Sequence, residues 1–207
     1  MGRVSDAKQR LMDAVLELIW TGSYGSTTID QICEKASVKK GSFYYFFESK
    51  CELAAAALDA DWEVHRLQLD ALFSPTVPPM ERLQNFCDFA YAKQLEMKKK
   101  SGLVLGCPLY TLGSEICTQD QKLQAKVQKI LAAHRKYIET TIRDAHADHL
   151  IVAPDATEKA RMMQVYFEGV LTQARIQNDV EVLKELPRGI SAILGFKEME
   201  LAVTQHA

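Results

Sequence analysis

The chain has 207 residues, of which 47% are hydrophobic and 25% are charged, fractions that exclude an intrinsically disordered protein. No run approaches the ~18 apolar residues of a membrane span, and no apolar signal segment follows Met1, so we expect a cytoplasmic protein with no membrane partner. Because the net charge is only −2, any affinity for nucleic acid must come from a local basic patch.

The first predicted helix covers residues 5–21. Its apolar residues from Leu11 to Ile19 recur at the spacing of one helix face. Two overlapping segments, Thr27–Asp30 and Thr28–Gln31, then resemble a capping box, which predicts a short amphipathic helix of about two turns.

A tight break at residues 37–40 and a short segment at residues 41–47 follow. Two short helices joined by a tight turn are a helix-turn-helix candidate, whose second helix enters the DNA major groove with its N-terminal residues nearest the bases. Because short helix pairs occur in many proteins, the alternative interpretation is that this aromatic segment simply belongs to a core.

The residue types at the second short helix suit DNA. Lys39 and Lys40 can reach phosphates or guanine edges, and the small side chains of Gly41 and Ser42 let the backbone approach the groove.

The aromatic residues of this segment divide into two pairs. Phe43 and Phe47 are expected to face inward. Tyr44 and Tyr45 cannot both face so small a core, so at least one hydroxyl is expected to point toward a phosphate.

The flanking helices supply further candidates. The N-terminus of the preceding helix suits a phosphate oxygen, and a lysine opens the following helix. The complete predicted DNA-binding set is Thr27, Thr28, Lys39, Lys40, Gly41, Ser42, Tyr44, Tyr45 and Lys50.

The remaining periodicity is also helical. A helix is predicted at about residues 49–72, and three prolines in residues 74–79 end it. Five further helices are predicted at about residues 80–97, 103–114, 118–146, 156–178 and 179–195. With no β alternation, the predicted fold class is all-α.

Cysteine and histidine positions argue against a cofactor. The five cysteines include no C-x-x-C pair, which disfavours both a disulfide framework and a structural zinc site. His146 and His149 lie in a polar stretch typical of a solvated helix end, with a metal site as the weaker alternative. We therefore expect no metal and no other cofactor.

The N-terminal third resembles the DNA-binding motif of the TetR family of bacterial transcriptional regulators. The resemblance covers about residues 8–58, with departures at Ser37, where glycine is usual, and Phe46, where histidine is common. The matching residues are Thr28-Ile-x-x-Ile32, Ala36-x-Val38-x-Lys40-Gly-Ser-x-Tyr44-x-x-Phe47 and Ser49-Lys50-x-x-Leu53.

This resemblance implies an N-terminal three-helix DNA-binding domain at residues 1–52 and a larger helical ligand-binding and dimerisation domain at residues 53–207. It further implies a homodimeric repressor that a small-molecule inducer releases from near-palindromic double-stranded operator DNA. No catalytic motif competes with this interpretation, so we expect no enzyme activity. An enzyme and a helical scaffold protein are the weaker alternatives.

An effector pocket is expected among the helices that start near residues 49, 80, 118 and 156. Most of its candidate residues would serve equally well in an ordinary core, and Arg175 would suit an acidic ligand. The candidates are Trp62, Phe86, Phe89, Cys107, Tyr110, Met163, Tyr166, Phe167 and Arg175.

Cys107 lies in an irregular segment, Gly106–Glu115, that is similar to one found in a TetR subgroup with electrophile- and acrylate-responsive members. Tyr110-Thr111 replaces the Gly-Asn of that subgroup. The sequence leaves two alternatives open, an inert buried cysteine and a reactive thiol that senses electrophiles.

The last two helices carry more apolar residues than one core stripe requires, which predicts a dimer interface. Gly169 lies mid-helix, where glycine costs ~1 kcal/mol relative to alanine. A close helix crossing between subunits would explain it, and a tight contact inside one subunit is the alternative.

Overall fold

The computed structural model describes residues 2–116 and 120–196. All regular secondary structure in these two ranges is helical. No helix in these two ranges combines the length and apolarity needed to cross a membrane. The elements are α1 Gly2–Thr21, α2 Ile29–Ala36, α3 Lys40–Phe46, α4 Lys50–Leu72, α5 Pro79–Ser101, α6 Pro108–Ile116, α7 Gln121–Ala147, α8 Ala156–Gln177, a 3-10 segment Val180–Glu185, and α9 Leu186–Leu194. The predicted helix start near residue 118 lies outside the described residues.

The chain forms two compact units. Within the described residues, the first unit comprises residues 2–66 and 108–131, and the second comprises residues 67–107 and 132–196. The domain boundary suggested by the sequence, between residues 52 and 53, falls inside α4 and stays a proposal.

Helices α1, α2 and α3 pack together in the first unit. Leu11, Val15 and Ile19 are buried on one face of α1, as their spacing predicts, against a core that includes Ile32 of α2 and Phe43 of α3. This burial orients α3, because its inward face is occupied and its outward face is left to solvent.

Both ends of α2 are capped, and its C-terminal cap forms the turn to α3. Thr28 forms the capping box with Gln31, so of the two predicted boxes this one is observed. Ser37 caps the other end with φ of 52°, the left-handed conformation that explains why glycine is usual there. The amide of Val38 donates to Cys33 O at 2.9 Å and closes the turn.

The second unit is built on α5, α8, the 3-10 segment and α9. The single last helix predicted from the sequence is wrong, since a 3-10 segment precedes α9. Pro187 explains the break: it has no amide proton to donate to an earlier turn, and it lies in the first turn of α9, where none is needed.

Candidate nucleic-acid interface and effector cavity

The N-terminus of α3 is open to solvent. Lys39 and Lys40 are exposed, and a Cβ added to Gly41 would meet no atom within 4 Å. Lys40 pairs with Asp30 at 2.7 Å, and this hydrogen bond raises the pKa of the Lys40 amine. The backbone can therefore approach another molecule closely here, next to two cations.

The predicted division of the aromatic residues is confirmed. Phe43 and Phe47 are 0% and 3% exposed, whereas Tyr44 and Tyr45 are 54% and 76% exposed. Two hydroxyl-bearing rings thus stand on the outer face of α3, where tyrosine oxygens serve as positioning contacts to phosphates.

The two threonines before α2 differ. Thr28 is exposed, and its hydroxyl caps α2. Thr27 is buried, and its hydroxyl donates to Ser23 O at 2.7 Å. The sequence-based assignment of Thr27 as a DNA contact is therefore corrected, because its side chain is enclosed and already hydrogen-bonded.

Lys50 holds the turn between α1 and α2, residues 22–28, from one side. Its Nζ donates to the carbonyl oxygens of Tyr24 and Thr27, each at 2.7 Å, and lies 4.1 Å from the centroid of the Tyr24 ring. Burial lowers the pKa of this amine. An ammonium group carries three protons, so one proton remains for a phosphate oxygen.

Glu115 of α6 holds the same turn by its amides. Its carboxylate accepts from Tyr24 N at 2.8 Å and from Gly25 N at 2.6 Å. A Cβ at Gly25 would lie 2.9 Å from Glu115 Oε1, so a larger residue here would require the carboxylate to shift. The turn is thus bound through carbonyls by Lys50 and through amides by Glu115, a role of Glu115 that sequence reasoning missed.

A small cavity lies inside the second unit. It has room for about one water molecule. Three phenyl rings share the lining, with centroids 4.4 Å apart for Phe86–Phe167 and 5.3 Å apart for Phe73–Phe86. The lining residues are Leu69, Phe73, Phe86, His134, Ile138, Gln164, Phe167 and Glu168.

Glu168 is the acidic group of this lining. It is 4% exposed, and its Oε2 is buried with no hydrogen-bond partner among the residues that the structure describes. The thiol of Cys107 hydrogen-bonds the same carboxyl group. Burial raises the pKa of Glu168 to about 8, since the charged form loses its hydration and the thiol compensates only in part.

Of the nine pocket residues predicted from the sequence, only Phe86 and Phe167 are among the residues that line this cavity. Met163 is fully buried in the core. Tyr166 donates to Glu185 O at 2.8 Å, and Arg175 donates to Leu105 O at 2.8 Å.

The other predicted pocket residues also lie outside this lining. Phe89 is half-buried with Lys93 Nζ 5.6 Å from its ring, and Cys107 is half-buried beside Glu168. Trp62 and Tyr110 are half-buried residues of the first unit.

Sequence reasoning missed Glu168 and Gln164, although a signal existed. Both are polar residues on the face of α8 that also carries the buried Met163, Phe167 and Leu171. A carboxylate on an apolar helix face is rarely buried without a function or a partner.

Glu168→Gln is expected to stabilise the protein increasingly as the pH rises. The unfolded carboxyl ionises near 4.5, whereas the folded one stays protonated until about pH 8, so wild type loses stability between these values. The advantage of the glutamine variant should grow by up to about 1.4 kcal/mol per pH unit in urea unfolding at pH 5–8. Glu158→Gln, at an exposed position of the same helix, is the control, and an equal pH trend in both variants would contradict the expectation.

Two protein-family models match this chain. The family model for bacterial regulatory proteins of the tetR family matches residues 11–57, which include α2 and α3. A second model, the tetracyclin repressor-like C-terminal domain, matches residues 79–190. The chain belongs to the TetR family. It is therefore a DNA-binding transcriptional regulator of all-α fold and not an enzyme, as the sequence predicted.

Individual relatives agree with this assignment. The transcriptional regulator AcuR of Cereibacter sphaeroides is 29% identical over 175 residues, covering 83% of this chain and 77% of that protein. The HTH-type transcriptional repressor NemR of Escherichia coli is 20% identical over 181 residues, covering 86% and 89%. A crystal structure of regulatory protein TetR from Rhodobacter sphaeroides is similar with a TM-score of 0.81 and 26% identity, covering 90% and 98% of the chains.

Proposed function

We propose that this TetR-family protein is a homodimeric cytoplasmic repressor that leaves a near-palindromic operator when a small molecule binds in the second unit. The proposal rests on the exposed N-terminus of α3. Two lysines begin this helix, a glycine with free space around it follows, and two tyrosines point outward from the same helix. A relative with repressor in its name, NemR, supports the same direction of control.

The DNA contacts divide by chemistry. Gly41 and Ser42 let the α3 backbone enter the major groove, with Lys39 and Lys40 at its edge. The tyrosines and the exposed N-terminus of α2 contact phosphates. The proposed set is Thr28, Lys39, Lys40, Gly41, Ser42, Tyr44, Tyr45 and Lys50.

A footprint on the DNA upstream of the encoding gene tests this function. We expect two protected half-sites one helical turn apart, ~34–36 Å or a multiple of it, related by approximate two-fold symmetry. Binding no tighter to this DNA than to unrelated DNA in a gel shift would favour the scaffold alternative.

The lysines are expected to respond differently to alanine substitution. Lys39→Ala should weaken binding to all sequences and lower the slope of log affinity against log salt by ~1, without a change in melting temperature. Lys50→Ala should lower the slope by ~1 and also lower the melting temperature, since two carbonyls lose their donor.

Lys100→Ala, at an exposed lysine of α5, is the control and should change neither quantity. A lower melting temperature with an unchanged salt slope would assign Lys50 to the turn alone. An unchanged slope in Lys39→Ala would exclude this residue as a phosphate contact.

Release of DNA requires an inducer that binds one conformation more tightly than another. The cavity holds about one water molecule, so any organic ligand must select a conformation in which this unit is wider. The long helix α4 is the proposed lever between ligand and DNA. Glu115 also connects α6 to the α1–α2 turn, so a displaced α6 would pull on that turn.

Covalent sensing by Cys107 is a second way to the same release. The thiol is half-buried and next to Glu168, and α6 begins at the following residue. Treatment with N-ethylmaleimide should release operator DNA from wild type and not from Cys107→Ser. Equal release from both proteins would leave only a non-covalent inducer.

The dimer interface is proposed on the outer face of α8. Most apolar residues of the last two helices are buried in their own subunit, including Met163, Phe167 and Leu171, so the proposed interface rests on the exposed ones. A different stripe is exposed at the alternating spacing of three and four residues. A Cβ at Gly169 would meet no atom of the described residues within 4 Å, which supports a helix crossing between subunits at this glycine. The stripe comprises Met162, Val165, Gly169, Thr172 and Ile176.

A further inference from the structure

We propose that the inducer is a small aromatic or aliphatic amine, bound as its cation between the carboxylate of Glu168 and the phenyl rings of the cavity. This inference rests on the proposed function and names the chemical class of its ligand. It differs from the acidic ligand that Arg175 suggested, because the guanidinium of Arg175 donates to Leu105 O and Arg175 is not among the lining residues.

The unpartnered oxygen of Glu168 points to a ligand. A buried carboxyl oxygen without a hydrogen bond costs free energy, and such groups are rare in native proteins unless a water or a ligand supplies the partner. The Cys107 thiol bonds the same carboxyl group and leaves Oε2 without a partner among the described residues.

The three phenyl rings favour a cation over a neutral partner. The ring of Phe86 packs against those of Phe73 and Phe167, and all three residues line the same cavity. Their ring faces carry negative electrostatic potential, and desolvated sites that combine such rings are the usual receptors for organic ammonium groups. A carboxylate in the same lining adds a charge-assisted hydrogen bond to each N–H that reaches it.

Binding of an ammonium ion has a measurable consequence for protons. The Cys107 thiol bonds the Glu168 carboxyl, and His134 lines the same cavity. With its pKa raised to about 8, Glu168 is largely protonated at pH 7. An incoming ammonium stabilises the carboxylate, so Glu168 gives its proton to the buffer while the ligand keeps its own. A neutral or anionic ligand would release no such proton.

Calorimetry of the full-length protein at pH 7 with benzylamine, benzyl alcohol and benzoate tests the proposal, because these probes share one ring and differ in charge. We expect benzylamine to bind at least about tenfold more tightly than the other two, and to release close to one proton per subunit when phosphate and Tris buffers are compared. Glu168→Gln should lose about tenfold in benzylamine affinity and the proton release, whereas Glu158→Gln should retain both.

Phe86→Leu retains the carboxyl and should weaken benzylamine binding more than benzyl alcohol binding, which tests the aromatic part of the site separately. The proposal is overturned if benzoate binds as tightly as benzylamine or more tightly, or if none of the three probes binds. It is also overturned if Glu168→Gln binds benzylamine with wild-type affinity. Operator binding without ligand, measured by fluorescence anisotropy, is a separate readout. If a compound releases DNA equally from wild type and from Glu168→Gln, the amine site is excluded while the repressor function is retained.

Discussion

Glu115→Ala is expected to lower operator affinity by at least about tenfold and the free energy of unfolding by about 2 kcal/mol. The carboxylate accepts from the amides of Tyr24 and Gly25, so the variant leaves both amides without an acceptor. These are charge-assisted hydrogen bonds, and they fix the turn from which α2 begins. Anisotropy titration, urea unfolding and hydrogen exchange of the two amides provide the measurements.

Glu96→Ala, at an exposed glutamate of α5, is the matched control and should behave as wild type. Glu115→Gln should fall between the two, because its carboxamide offers one acceptor oxygen in place of two. Wild-type operator affinity in Glu115→Ala, with unchanged exchange of the two amides, would show that the turn does not depend on α6.

The second large effect is expected at Val165. This residue is 62% exposed on the α8 stripe, and the nearby Met162 and Ile176 are 44% and 69% exposed. Val165→Glu would place a charge in the centre of the proposed dimer interface, where it has no partner. We expect a monomer by light scattering at micromolar concentration and a fall in operator affinity of about 100-fold, since two linked half-site contacts become one.

Val152→Glu is the control, because Val152 is 80% exposed and lies in the loop before α8 rather than on the stripe. It should remain dimeric and bind operator as wild type does. A monomeric wild type, or a Val165→Glu variant that remains dimeric, would contradict the proposed interface.

Local features of α2 and α3 could be predicted because they depend on residues close in sequence. The i, i+4 pair Phe43 and Phe47 had to share one face, so the intervening Tyr44 and Tyr45 had to point outward. Thr28 and Gln31 formed their capping box within a single turn. Thr27 was misjudged by the same reasoning, because its burial depends on packing that its neighbours do not encode.

The cavity could be predicted only in part. Phe86 and Phe167 are large apolar residues on helix faces, which made them candidates, but the same description fits Met163, which is core. Phe73 follows α4 and comes just before the proline-rich segment, so no periodicity marked it. Which apolar residues border a space and which fill one is decided by how the helices pack.

The sequence by itself determined the helices, the DNA-binding motif and the outward face of α3, since helical periodicity, capping and side-chain size act over a few residues. Only the tertiary structure decided that Glu115 binds a turn 90 and 91 residues away, and that Glu168 and Cys107 meet beside the cavity. Such contacts depend on the crossing of whole helices, and a single carboxylate has no pattern along the chain that reports where its partner lies.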